Sequence, residues 1–192
     1  MGVRYKDWTK LQDKINKLAK EDAEKFIRST AKELAARLLA KVIKRTPVGH
    51  KLVLEDKKTI KVTGKYGKKL TFLSKEGAIL QQYWSGYRGG ELRRGWTAGK
   101  NIPVYEYVKT IPIAKIGGMV RVTIVNSVHY ASYVEFGHRQ TPGRYVPQLG
   151  KRLKFRFVKG KFMLRESELE MMRDTPAIVE QRLNKFLKET FK

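Results

Sequence analysis

The chain has 192 residues, of which 41% are hydrophobic, with 42 Lys and Arg against 18 Asp and Glu and no cysteine. That is enough apolar side chain for one domain, or one domain with an arm, and it excludes global disorder, disulfides and thiolate metal sites. The net charge of +24 implies a polyanionic neighbour, nucleic acid or an acidic protein surface, or else serves solubility. Residues 1–46, 47–100 and 101–162 carry +7, +8 and +9, and residues 163–192 carry no net charge. No apolar run reaches transmembrane length, and the first ten residues, MGVRYKDWTK, hold no apolar stretch of the kind a signal peptide needs.

In chain order, Tyr5 to Arg45 reads as one long helix or two nearly collinear ones, with Trp8, Leu11, Ile15 and Leu18, and later Leu34, Leu38 and Val42, on a stripe. About forty helical residues would span ~60 Å, more than the roughly 30–35 Å of a domain this size. Part of the helix therefore lies against another subunit, or the helix breaks. Pro47 ends it. Residues 50–88 form an insert: two short alternating runs around Gly64-Lys65-Tyr66-Gly67 predict a basic β-hairpin, and Ser74 to Tyr83 a short helix capped by Ser74. Lys65, Lys68 and Lys69 of this hairpin are candidate contacts to DNA or to an acidic partner.

Leu92 to Lys100, Pro103 to Ile113 and Val120 to Val134 predict three strands of an antiparallel meander, with Trp96 as a core anchor and a hairpin turn at Gly117-Gly118. Val120, Val122 and Ile124 alternate with Arg121 and Thr123, the period of a half-buried strand. After Gly137 a polar loop, His138 to Arg144, comes to the surface. Arg152 to Phe157, RLKFRF, alternates cation with apolar residue, which reads either as an edge strand protected by charge or as an arm laid on an anionic surface. Lys151, just before it, and its Arg152, Lys154 and Arg156 join the candidate contacts. Met163 to Arg173 and a segment opened by Thr175-Pro176 predict two C-terminal helices, the second burying Ile178, Val179, Leu183, Phe186 and Leu187. The expectation is a single α+β domain over residues 1–192: a long N-terminal helix, an antiparallel sheet with the basic hairpin insert, and two C-terminal helices.

The phrase YASYVEFGHR, Tyr130 to Arg139, resembles the signature of a family of tail-completion and neck proteins of long-tailed bacteriophages, related to the lambda-type minor tail protein Z group. RTPVG (Arg45 to Gly49), GELRRGWT (Gly90 to Thr97) and VKGKFML (Val158 to Leu164) resemble it in the same order. The family commonly joins the second phrase to the first by a short link, so the insert lies outside the resemblance. The resemblance implies a virion protein, assembled in the host cytoplasm, that forms a homo-oligomeric ring at the neck. Its partners would be head-connector and tail-tube or tail-terminator proteins, with DNA passing through the lumen. It also implies that Arg93, Arg94, Glu135, His138 and Arg139 set interface geometry; apart from the resemblance, Glu135 reads as the partner of a buried or interfacial arginine, Arg93 or Arg94.

No arrangement for catalysis is legible. The histidines His50, His129 and His138 lack the company of a metal site; no Ser-His-Asp pattern, phosphate-binding glycine loop or paired carboxylates appear. The expectation is therefore no enzyme, cofactor or metal. A second reading, from charge and the segments KFRF and GKYGKKL, is a sequence-nonspecific nucleic-acid-binding module, although no known reading motif is present.

Overall fold

The structure is a computed structural model that describes residues 12–13, 15–16, 22–49, 59–63, 69–85, 89–147 and 149–190. Its elements are α1 (Ala23–Arg45), β1 (Thr59–Thr63), β2 (Lys69–Leu73), α2 (Lys75–Trp84), α3 (Glu91–Gly95), α4 (Val104–Thr110), β3 (Ile113–Ile116), β4 (Met119–Val122), α5 (Ala131–Phe136), β5 (Gly137–Arg139), β6 (Tyr145–Val146), β7 (Lys151–Arg152), β8 (Phe157–Lys159) and α6 (Met163–Thr190). Helices and short antiparallel sheets give the expected α+β class. The described part of the long N-terminal helix, α1, rises about 35 Å; most of the stretch before it lies outside the described residues.

Two compact units divide the chain. One holds Met1–Thr46, Arg94–Ser127 and Met163–Lys192; the other holds Pro47–Arg93 and Val128–Phe162.

In the first unit α1 and α6 run antiparallel. Phe26 stacks on Phe186 at 4.9 Å between ring centroids, and Arg45, at the other end of α1, reaches Ser167 and Glu170. Ala35, Leu39 and Val42 fall on one helical stripe, as do Met163, Ser167 and Met171, and all six are buried. Ser167 is small enough to sit between the helices, its hydroxyl donating to the Met163 carbonyl at 2.6 Å. Beside this seam Lys41 bridges Glu170 and Asp174, and Arg45 pairs with Glu170 at 2.6 Å. The Lys41 hydrogen bond is the main cause that holds the Glu170 carboxyl below its ordinary range, and the bond to Glu170 in turn raises the Lys41 ammonium.

The two expected C-terminal helices are one. Pro176 sits inside α6, although a proline in a helix interior costs about 3 kcal/mol through its missing N–H and its clash with the preceding turn. Contacts to α1 on both sides of it, from Ser167 and Glu170 through Arg182 to Phe186, hold the helix continuous. Leu183 and Leu187, expected to be buried, are exposed.

The expected three-stranded meander is also replaced. Leu92 to Lys100 contains α3, and Pro103 to Ile113 contains α4. The β-branched and aromatic residues that read as strand are overridden by packing: Leu92, Gly95 and Trp96 are buried at helical spacing, and Val104, Tyr107 and Val108 are the covered positions of α4. Only β3 and β4 pair, turning through Gly117 and Gly118, both at positive φ, as the two-residue hairpin turn demands. The period-two pattern from Val120 to Ile124 holds in the burial. Trp96 is a core residue as expected, its indole N–H donating to the buried Thr46 hydroxyl.

In the second unit β1 and β2 form the expected hairpin in the register Thr59↔Leu73, and the Ser74 hydroxyl accepts from the Gly77 N–H to cap α2. Lys65 and Lys68 lie outside the described residues.

Candidate interaction surfaces

Tyr130 leads into α5, and Gly137, at φ 85° and ψ 176°, breaks it in a conformation that L side chains rarely adopt. The chain turns straight into β5, which pairs antiparallel with β8: Gly137↔Lys159, His138↔Val158, Arg139↔Phe157. Beyond this the two strands stay together. The Gln140 N–H donates to the Arg156 carbonyl at 2.9 Å, Gly143 to Leu153 at 2.8 Å and Leu153 to Arg144 at 2.9 Å, after which β6 pairs with β7 as Tyr145↔Arg152 and Val146↔Lys151. Five residues, 140–144, oppose four, 153–156. Gly137–Val146 and Lys151–Lys159 thus form a single β-ribbon with one bulge.

Its root is a close backbone crossing. The Lys161 and Phe162 N–H groups donate to the Val134 and Glu135 carbonyls at 2.8 and 3.0 Å. A Cβ on Gly160 would stand 2.2 Å from the Glu135 carbonyl oxygen, and one on Gly137 would stand 2.3 Å from that of Val158.

Between Gly137 and Lys161 the chain carries eight basic residues and no acidic one. Its apolar residues are uncovered: Phe155 is 68% and Phe157 54% exposed. Leu149, Leu153 and Phe155 line a shallow groove of about 620 Å³ with Lys151, Arg152 and Lys154 around it. At the root, a second groove of about 490 Å³ is lined by Tyr130, Tyr133, Val134, His138, Arg139, Val158, Lys159 and Lys161. The Tyr133 and His138 rings meet edge to face at 5.9 Å, and His138 Nδ1 is buried with no hydrogen-bond partner among the described residues.

Of the residues expected to shape an interface, this root groove brings together His138 and Arg139. His138 is not in an exposed loop but in β5, because pairing with β8 converts the stretch after Gly137 into strand. Glu135 is on α5 but buried, 6% exposed. Arg93 and Arg94 are on α3, not a strand; Arg93 is half-buried and Arg94 exposed, and each has an interaction partner, as Glu135 does. Lys151, Arg152, Lys154 and Arg156 are exposed on the ribbon, though of the expected RLKFRF strand only Arg152, next to the paired Lys151, keeps regular pairing before Phe157.

The sequence reading missed a second surface. On the side of α6 away from α1, Leu169, Met172, Pro176, Leu183 and Leu187 are exposed, with Met172 at 71%. Their intervals of three, four, seven and four were the available signal.

Among the described residues no cluster of three or more His, Asp or Glu is placed to hold a metal, and no helix is long and apolar enough to cross a membrane. A family model described as "Bacteriophage HK97-gp10, putative tail-component" matches residues 9–137, through the insert and up to the glycine that opens the ribbon. The chain belongs to this HK97-gp10-like family of phage tail components. The match carries no relationship to the lambda-type minor tail protein Z group. No curated protein and no solved structure matches the chain.

Proposed function

We propose that the chain is a structural subunit of the phage neck or tail-completion ring, which joins tail to head and lets DNA pass. The observation that carries this reading is the ribbon. A two-stranded sheet alone in water is marginally stable, its two edges are open to further pairing, and here Phe155 and Phe157 lie uncovered among eight cations. Such an element makes sense when neighbouring subunits cover its apolar side. Membership of a family of phage tail components supports this reading, since a tail brings copies and other shell proteins together. A ring takes heterologous contacts, which need two unlike surfaces on one subunit; the basic ribbon and the charge-balanced α6 supply them. The remaining cations suit a lumen through which DNA moves, and they contact phosphate without reading sequence. The fold around them is used as a scaffold and not for catalysis.

The test is native mass measurement of the purified full chain, alone and mixed with tail tubes. Discrete closed multimers, or defined stoichiometric complexes on tube ends, are expected. A protein that remains monomeric in both, yet binds random duplex tightly at physiological salt, would instead be a nucleic-acid-binding module.

A further inference from the structure

We infer that the apolar face of the ribbon in one copy lies along the outward stripe of α6 in the next; this rests on the ring reading above and names its interface. The ribbon needs a cover. A bend at Arg156 interrupts the alternation of Leu153, Phe155 and Phe157 with Lys154 and Arg156, yet Leu149, Leu153 and Phe155 open onto one groove, an apolar side left in water. Antiparallel sheets keep one such side wet only when the other is packed.

The α6 stripe needs a cover as well. Its residues recur at the three-and-four spacing by which a helix faces a partner, yet the partner inside the chain, α1, takes the opposite side through Met163, Ser167 and Met171. The two surfaces match in length. From Leu169 to Leu187 a helix rises about 27 Å at 1.5 Å per residue, and the return chain from Lys151 to Lys159, bent at Arg156, reaches at most about 27 Å. Charge does not oppose the pairing either. The ribbon has no carboxylate, while around the stripe the exposed Glu166, Glu168 and Glu180 offset Arg165 and Arg173, within residues 163–192, the segment that carries no net charge. In a chain of +24, docking the ribbon elsewhere on a second copy sets cation against cation. Stripe-to-stripe pairing leaves Phe155 and Phe157 in water, and nucleic acid on the ribbon's apolar side sets them against phosphate.

The natural chain has no cysteine, so engineered thiols report cleanly. Phe155→Cys is combined in turn with Leu169→Cys, Met172→Cys and Leu183→Cys in the full chain, and each single variant is made as well. All four positions are exposed, so folding is undisturbed. A flexible bis-maleimide linker is applied to the assembled protein. At least one double variant is expected to give a ladder of covalent multimers, and the matching pair of singles, mixed, to give covalent dimer and nothing larger. Each single alone is expected to give no covalent product.

Cross-linking of Met172→Cys alone would show stripe pairing with stripe, and cross-linking of Phe155→Cys alone would show ribbon pairing with ribbon; either overturns the inference. Protection of Phe155→Cys from maleimide only when duplex DNA is added overturns it in favour of nucleic acid. Rings seen by native mass with no cross-link in any double variant sink the inference and leave the ring reading standing. A chain that is monomeric alone and with tail tubes removes both.

Discussion

The indole N–H of Trp96 donates to the hydroxyl oxygen of Thr46 at 2.8 Å, across fifty residues of sequence. The same hydroxyl donates to the Val42 carbonyl at 2.7 Å, so one side chain closes α1 and satisfies a buried indole. Thr46→Val keeps the volume and strands the Trp96 N–H, which should lower stability by about 1–3 kcal/mol. Thr46→Ser, which keeps the oxygen, should lose clearly less. Denaturant unfolding followed by Trp fluorescence measures both.

At the Lys41, Glu170 and Asp174 cluster the expected pH response has two arms. Glu170 titrates lower in the folded chain than in the unfolded chain, chiefly because Lys41 donates to it. Its contribution is therefore present above the ordinary carboxylate range and lost as pH falls through that range and below. Lys41 titrates higher when folded, so its contribution is complete below the ordinary lysine range and lost as pH rises beyond it. Thermal melts across pH should fall off on both sides, and Glu170→Gln should flatten the acid arm. An unchanged acid arm in that variant would refute the assignment.

Gly160→Ala places a methyl 2.2 Å from the Glu135 carbonyl oxygen, a contact that backbone atoms must move to relieve. The expected loss is several kcal/mol, in the range of severe overpacking. Gly118→Ala has open space for its methyl, although its positive φ leaves some strain. It should cost about 1–2 kcal/mol. Comparing the two by hydrogen exchange at Lys161 and Phe162 separates the crossing from general turn strain.

Glu135 is a buried carboxylate, and such a group persists when a cation answers it. We expect Arg93, half-buried, to be the partner and Arg94, exposed, not to be. A double-mutant cycle of Glu135→Gln with Arg93→Met should show coupling above about 0.5 kcal/mol, and the cycle with Arg94→Met should show none.

If the ribbon's cationic side faces DNA, binding of random duplex should weaken steeply with salt. Replacing Lys154 and Arg156 together with Gln should reduce the slope of log K against log salt by about 1.8, or 0.9 per lost phosphate contact. A slope that stays the same would place phosphate contacts elsewhere.

Local chemistry made some of this fold readable in sequence. Ser74 as a cap, Gly117-Gly118 as a hairpin turn, the end of α1 before Pro47 and the burial of Trp96 all follow from interactions within a few residues or from side-chain size. The failures share a cause at longer range. Val104 to Val108 has strand composition, yet a helix places Val104, Tyr107 and Val108 on one covered side. Thr175-Pro176 has the form of a helix start, yet contacts with α1 on both sides outweigh one missing hydrogen bond. The ribbon was visible only in halves, because the pairing of Gly137–Val146 with Lys151–Lys159 depends on a bulge at Thr141 to Arg144 that no alternation announces. His138 and Arg139 were selected through a family resemblance, and their place beside Lys159 and Lys161 came only with the pairing of β5 and β8.

The crossing at Gly137 and Gly160 has an evolutionary corollary. Every base change in a glycine codon that alters the residue without stopping translation adds at least a β-carbon. No graded series of substitutions therefore leads through that point. Lineages are free to recolour the ribbon's surface, residue by residue, while the two positions at its root admit abrupt loss but no drift.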